Sequence, residues 1–327
     1  MYLRKTVLGW LTFLSTLCVS TATVAAQLPS PIRIVVPFAP GGANDILARA
    51  LAGPLGQELG VTVLVENRSI GAAGSIAAKA VSRETPDGSV LLLGNTASLG
   101  INPHIYRDTA GYDPRSDLDP VSTLGTSSLV LVLGRDVQAN SVDQFIEHLK
   151  EKPGQLAYAS AGSGSPLHLA AEMFMLGTGT SMVHVPYKGT APAYVDLLAG
   201  RVDVMFDNTT TATRYVSGGQ VNALAVTGKE RSRLFPDIPT FSEVGIPGMD
   251  EMTVWFGLVA PKGTPADVRE RIAQGVRAAL KDAKVQEQLA MLDIAPTGST
   301  PAEMKAFIDR EYGKWGDLIQ AAGIRAE

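Results

Sequence analysis

Four stretches of this chain gather glycine and small hydroxyl side chains around almost no charge, a combination suited to cradling an anion. They are Phe38-Ala39-Pro40-Gly41-Gly42-Ala43-Asn44-Asp45, Gly94-Asn95-Thr96-Ala97-Ser98, Ser160-Ala161-Gly162-Ser163-Gly164-Ser165-Pro166 with His168 just beyond, and Pro186-Tyr187-Lys188-Gly189-Thr190. Glycine lets a backbone approach a ligand closely, and Ser or Thr hydroxyls donate without bulk. A loop that opens a helix also aims unpaired N–H groups and the positive end of the helix dipole at one point. No arginine occurs in the four loops, and Lys188 is their only fixed cation. A carboxylate bound there would be held by neutral donors. Each helix dipole adds about 0.3–1 kcal/mol at an exposed site and more once water is excluded.

Within these loops the candidates for ligand contact are Phe38, Ala39, Gly41, Gly42 and Asp45; Asn95, Thr96 and Ser98; Ser160, Gly162, Ser163, Ser165 and His168; and Tyr187, Lys188 and Gly189. Asp207 ends an apolar run and would face the same cleft, meeting a ligand through water or a ligand amine. The plainer alternative for it is a turn before Asn208. Asp45 also reads as a helix-start residue, favourable to the dipole, and Arg49 should pair with a nearby carboxylate on the same lobe. Phe38 and Tyr187 serve equally as cleft walls or as core, while Trp255 reads as core. His168 has Glu172 one turn later, but four histidines scattered singly make a poor metal site. Packing, or a hydrogen bond near the serine-rich loop, is the expected role of His168. Neither a metal nor a cofactor is expected.

The elements that must position these loops follow from hydrophobic patterning. Ile32–Val36, Val61–Val65 and Val90–Leu93 read as buried parallel strands, rich in Val, Ile and Leu without strict alternation. Asn44–Leu59 carries apolar residues at helical spacing, and Gly53-Pro54 should bend or interrupt that helix. A second series follows: strands at Leu129–Leu133, Leu156–Ala159, Met182–Val185 and Val202–Phe206, with helices at Pro166–Leu176 and Ala191–Leu198 between them. Ser141 with Gln144, and Thr300 with Glu303, form capping boxes. Strands alternating with helices in two series argue for an α/β protein of two lobes. Ligands then bind outside the carboxyl ends of the strands, where the four loops fall.

The first 26 residues have the parts of a secretory signal peptide: Arg4 and Lys5, an apolar centre at Val7–Val19, and the small-residue site Val24-Ala25-Ala26. A periplasmic location follows as an expectation. The only cysteine, Cys18, lies inside that segment, so disulfides and cysteine metal sites are excluded from the mature chain. Removal of the segment leaves 26 basic residues against 32 acidic, a net charge of −6. No Lys/Arg block occurs, which argues against a nucleic-acid partner.

Several motifs carry a resemblance that spans nearly the whole mature chain in order. They include Pro37-Phe38-Ala39-Pro40-Gly41-Gly42 with Asp45 and Arg49, Val63-Leu64-Val65-Glu66-Asn67-Arg68, and Tyr158-Ala159-Ser160-Ala161-Gly162-Ser163-Gly164-Ser165. Further along come Val185-Pro186-Tyr187-Lys188-Gly189, Gly200-Arg201-Val202-Asp203-Val204-Met205-Phe206-Asp207 and Phe235-Pro236-Asp237-Ile238-Pro239-Thr240. The series resembles the substrate-binding proteins of tripartite tricarboxylate transporters, the Bug family of bacterial periplasmic receptors. The resemblance implies a two-lobed periplasmic-binding-protein fold, a type II-like Venus flytrap with two crossovers between lobes. Residues 27–98 with 225–327 would form the first lobe and residues 99–224 the second. It also implies capture of a small carboxylate by the loops Phe38–Asp45 and Ser160–Ser165, with bridging waters, and delivery by a monomer to the membrane subunits of a transporter. One departure is visible: the family's Asn-Arg-Pro-Gly-Ala turn is here Asn67-Arg68-Ser69-Ile70-Gly71-Ala72.

Two other function classes compete with a transport receptor. A sensing receptor for a membrane kinase would use the same ligand-bound surface. A secreted serine hydrolase would need an activated nucleophile, yet neither Ser163 nor Ser165 lies in a Gly-x-Ser-x-Gly elbow. His168 three residues from Ser165 is not a triad. No phosphate loop of the Gly-x-x-x-x-Gly-Lys type occurs, and Gly71-Ala72-Ala73-Gly74 is too short for a dinucleotide fingerprint.

Overall fold

The computed structural model describes residues 28–324 apart from 39, 69–73 and 107–110. The expected signal peptide with Cys18, the candidate Ala39 and the altered turn after Arg68 therefore lie outside the described residues. Two half-sheets share one long strand. In the first, β1 (Ile32–Val36) pairs in parallel with β2 (Val63–Asn67) and with β3 (Val90–Asn95). Next to β3 runs antiparallel β9 (Thr253–Pro261), followed by the first half of β4 (Leu118–Leu133) and short β10 (Ile294–Pro296). In the second half-sheet, residues Leu129–Leu133 of β4 lie between β8 (Asn222–Val226) and β7 (Val204–Asn208). Beyond β7 come β5 (Ala157–Ser160) and β6 (Val183–Pro186), both parallel to it in sense.

The lobes are joined inside β4, where pairing passes from β9 at Ser128 to β7 at Leu129. The return crossing lies between Gly228, whose amide donates to Met249 C=O, and the start of β9. Both crossings come later in the chain than 98/99 and 224/225, because residues 118–128 pair with the first half-sheet and 225–226 with the second. The missed half of β4 is rich in Ser and Thr and contains Pro120 and Gly125. Its buried Leu118, Val121 and Leu124 stand three residues apart, not two, because the ladder to β9 slips register twice, so the strand shows no simple alternation in the sequence.

Helix α1 (Ala43–Leu59) runs unbroken through Gly53-Pro54. Leu51, Leu55 and Leu59 face the core while Gly53 faces solvent, so the carbonyl that Pro54 cannot serve can turn to water. Burying each of those leucines contributes about 1.5–3 kcal/mol. β2 starts at Val63, two residues after the sequence reading, because Val61 N–H is still bound to the last turn of α1 at Gly56 C=O. That shift brings Asn67 beside the start of α1.

The remaining helices cover the sheets. They are α2 (Ser75–Val81), α3 (Asn102–Ile105), α4 (Val142–Glu151), α5 (Pro166–Thr178), α6 (Thr190–Leu198), α7 (Thr209–Ser217), α8 (Ala266–Ala279), α9 (Ala283–Met291) and α10 (Pro301–Ala321). A π-helical turn, Thr96–Ile101, follows β3. The Ser141 cap and the Thr300–Glu303 capping box form as expected, although Gln144 reaches back to Asn140 N–H rather than to Ser141. Trp255 is core: its indole N–H donates to buried Glu311 of α10, which also accepts from Trp315 and Lys314.

Candidate functional site

The carboxyl ends of the parallel strands in both half-sheets open onto one cleft of about 510 Å³. Its first wall is the loop after β1 and the first turn of α1, from Phe38 through Gly41, Gly42 and Asn44 to Ile46, with Asn95 and Ala97 beside them. The facing wall is built by Ala161, Ser165 and Leu167 at the start of α5 and by Asn208, Thr210 and Thr211 at the start of α7. Ser127, Val254 and Phe256 of the joining strands form the floor, and Leu292 closes one side, where its carbonyl accepts Thr210 Oγ1–H across the lobes at 3.2 Å. Among the described residues that line the cleft, no side chain carries a charge.

Three helices thus point their N-termini into the cleft. α5 is capped by Ser165, whose Oγ accepts His168 N–H at 3.3 Å. Among the described residues no side chain caps α1, with Gly42 at its N-cap, or α7, with Asn208 there. Their first-turn amides are left for an anion. Asn44 on the same wall is buried, and its side-chain NH2 has no partner among the described residues. Burial without a partner is costly for such a group, so a ligand acceptor is the natural complement.

The first loop is held from behind rather than by its ligand face. Gly41 takes a left-handed φ of +86°, and its N–H donates to Asp45 Oδ2 at 2.9 Å. Asp45 also receives Arg49 Nε at 3.0 Å and Asn67 Nδ2 at 2.9 Å, and Asn67 ties in Phe38 C=O at 3.1 Å. The Arg49 guanidinium holds the Asp45 carboxyl down at about 2, against the opposing effect of burial. Asp45 is therefore a buried anchor, and the expected partner of Arg49 is Asp45 itself. The negative charge is neutralised on the side away from the cleft.

The second loop follows the same plan. Gly164 has a left-handed φ of +75°, which favours glycine, and a Cβ there would also push Ile105 Cδ1, 2.4 Å away, aside. Its N–H donates to His168 Nδ1 at 3.0 Å. Ser160 is fully buried, with its Oγ accepting Gly162 N–H at 3.1 Å and lying 2.7 Å from His184 Nε2. His168 and Ser160 thus support the loop from beneath, while Ser165 lines the cleft. Ser163 is partly covered, its Oγ buried without a partner among the described residues.

Several other candidates lie off the cleft wall. Thr96 and Ser98 are fully buried: Thr96 Oγ1 accepts Trp255 N–H at 2.8 Å, and Ser98 forms a reciprocal cap with Asn95. The π-helical turn directs Asn95 and Ala97, not these two, to the cleft. Tyr187 donates its hydroxyl to Asp196 of α6, and Lys188 is exposed beside Gly189; neither lines the cleft. Asp207 alternates with Phe206 on β7 and so turns away from the cleft into the core beneath α6 and α7. Neither of its oxygens has a hydrogen-bond partner among the described residues, and burial lifts its carboxyl to about 7 despite the nearby Tyr194 hydroxyl. The α7 start, Asn208-Thr209-Thr210-Thr211, was the wall missed. It carries the same small, hydroxyl-rich signature directly after a strand.

Comparison with known proteins agrees with this architecture. The profile of the tripartite tricarboxylate transporter family receptor matches residues 47–324. Protein BugT of Bordetella pertussis is 35% identical over 318 residues, covering 94% of this chain and 95% of that protein. Among solved structures, the periplasmic binding protein BugD is 34% identical, with a TM-score of 0.75 over 90% of this chain and 98% of BugD. Rpa4515 of R. palustris, solved with adipate, is 33% identical, with a TM-score of 0.78 over 90% and 97% of the two chains. The uncharged cleft between two α/β lobes is that of a solute receptor, and the chain belongs to the Bug-type receptors of the tripartite tricarboxylate transporter family.

Proposed function

We propose that this protein is an exported, periplasmic receptor that captures a small organic carboxylate between its lobes and delivers it to the membrane subunits of a tripartite tricarboxylate transporter. The observation that carries the reading is the convergence of three helix N-termini from both lobes on one cleft, two of them uncapped, around the unpaired Asn44 amide. Neutral donors of this kind suit an oxyanion, and closing the lobes removes the water that would weaken them. Bridging waters complete the contacts that the short polar side chains do not reach. The adipate held by Rpa4515 supports an organic acid.

The reading needs no chemistry on the ligand. Ser160 lies close to His184, yet it is fully buried and its oxygen is engaged by Gly162 N–H. The test is a thermal-shift screen of the refolded protein against small carboxylates and the matching amides. A ligand that binds only the folded state raises the melting temperature. Stabilisation by an acid and not by its amide supports the reading; equal stabilisation by both, or none by any acid, overturns it.

A further inference from the structure

Beneath the loop Ser160–Ser165 lies a stack of rings that ligand capture by backbone donors does not explain. The His168 and His184 rings stand 3.9 Å apart with planes 9° from parallel, and Tyr158 stacks on His184 at 4.9 Å. Each histidine holds a different point of the loop, His184 at Ser160 Oγ and His168 at Gly164 N–H. A backbone N–H only donates, so His168 Nδ1 must carry a lone pair, with the ring proton on Nε2. That nitrogen faces Glu172 Oε1 at 3.6 Å, and the same oxygen accepts the Tyr158 hydroxyl at 2.6 Å. Burial pushes the Glu172 carboxyl up, but the bonds from His168 and Tyr158 outweigh it and hold the group below the usual carboxylate range.

Resting on the carboxylate reading above, we propose that His168 is the positioning residue of the second lobe's half of the site, holding Gly162–Ser165 in its receiving geometry only while Nδ1 is unprotonated. His168 occupies the third position of α5, where a capping box places Glu or Gln. A glutamate there would hold the loop but present a negative charge to the incoming carboxylate; an uncharged imidazole holds it without repulsion. Protonation turns the acceptor into a donor facing a donor, so Gly164 N–H loses its partner in a buried spot. The new charge would attract an anion, but Glu172 at the far nitrogen cancels it at range. The lost hydrogen bond therefore sets the sign, and capture weakens as the medium turns acid.

The titratable groups that face His168 are Glu172 on its own helix, His184 on β6 and Tyr158 on β5. The π-helical turn packed against α5 carries no ionisable residue. Asp207 on β7 points to the opposite face, Glu311 of α10 is committed to Trp255, Trp315 and Lys314, and Asp250 and Glu251 of the turn Met249–Glu251, which also packs on α5, line a separate surface groove beside Lys314.

The test has an arm that needs no ligand. In the ligand-free, ¹⁵N-labelled protein, the His168 ring nitrogens and the Gly164 amide are followed from about pH 8 to about pH 5, the range in which imidazoles titrate. The expected result is an Nε2–H tautomer at the upper end and one shared midpoint for ring and amide. An Nδ1–H tautomer, or a ring that protonates while the Gly164 amide stays in place, overturns the proposal. In the second arm, adipate, benzoate and citrate are titrated calorimetrically, and the acid that binds is carried across pH. Wild-type affinity should fall about tenfold across a pH range spanning the ring midpoint found in the first arm, the equivalent of one hydrogen bond. His168→Asn, whose Oδ1 accepts the amide without titrating, should stay within about threefold across that range. His168→Phe keeps the ring stack and should bind about tenfold more weakly at every pH. A His168→Asn profile as steep as that of wild type overturns the positioning role and leaves the carboxylate reading standing. If none of the three acids binds wild type, the acid found by the thermal-shift screen takes their place; if that screen finds none, the carboxylate reading falls and the Gly164 shift decides the anchor.

Discussion

In the first lobe Gly41 turns the chain into α1 and gives its amide to Asp45; in the second Gly164 turns it into α5 and gives its amide to His168. Both glycines are left-handed, both sit just before the N-cap, and both acceptors lie three residues after it. The difference is in how each acceptor avoids opposing an anion. Asp45 is charged and is answered by Arg49 and Asn67 on its far side. His168 is uncharged when it accepts, and Glu172 stands behind its other nitrogen. One geometry is thus met by a permanent ion pair and by an uncharged ring, so the two lobes should respond differently to substitution.

The largest effect concerns the two buried acids, which invert each other's logic. Asp45 has a cation and its carboxyl is held low; Asp207 has none and its carboxyl is lifted to about 7. For Asp207 the folded protein binds the proton more tightly than the unfolded chain does. Stability is therefore intact below about pH 4 and declines as pH rises towards 7. Asp207→Asn should be more stable than wild type by as much as about 4 kcal/mol at pH 8, with the gap closing by pH 4, as read by denaturant melts across pH. A gap that does not change with pH would break the contrast.

For Asp45 the sign is opposite: its contribution is present above about pH 4 and lost as pH falls towards 2. Asp45→Ala should cost about 2 kcal/mol at neutral pH, the scale of losing an acceptor for a charged donor, and should abolish carboxylate-induced stabilisation because Gly41 is released. Measuring the same melts with and without an acid separates the two effects. The smallest effect is Ser165→Ala, which removes a side-chain cap that α1 does not have and should cost about 1 kcal/mol by urea melts.

The sequence carried the anchors of this comparison better than its walls. The spacing Gly41…Asp45 and Gly164…His168 is visible in the chain, and glycine-rich turns before apolar periodic segments mark both loops. What was not legible depends on which way a strand faces. Asp207 ends an apolar run exposed on neither side, so alternation alone decides that it enters the core while Asn208 reaches the cleft. Thr96 and Asn95 are adjacent and equally polar, and only the π-helical turn sends one inward and the other to the cleft. The floor residues Ser127, Val254 and Phe256 come from strands that meet only through long-range pairing, Ser127 with Val254 among them, and nothing local in the chain announces it.

β4 belongs to both half-sheets, and this has a consequence for how the molecule comes apart. Each sheet uses part of it as an interior strand, so melting either lobe strips the other of a central strand and not of an edge. Lobes linked only by loops would open as separate cooperative units. Here the chain should denature in a single transition, and the amides of Leu129–Leu133, flanked by β7 on one side and β8 on the other, should be the last to exchange with deuterium.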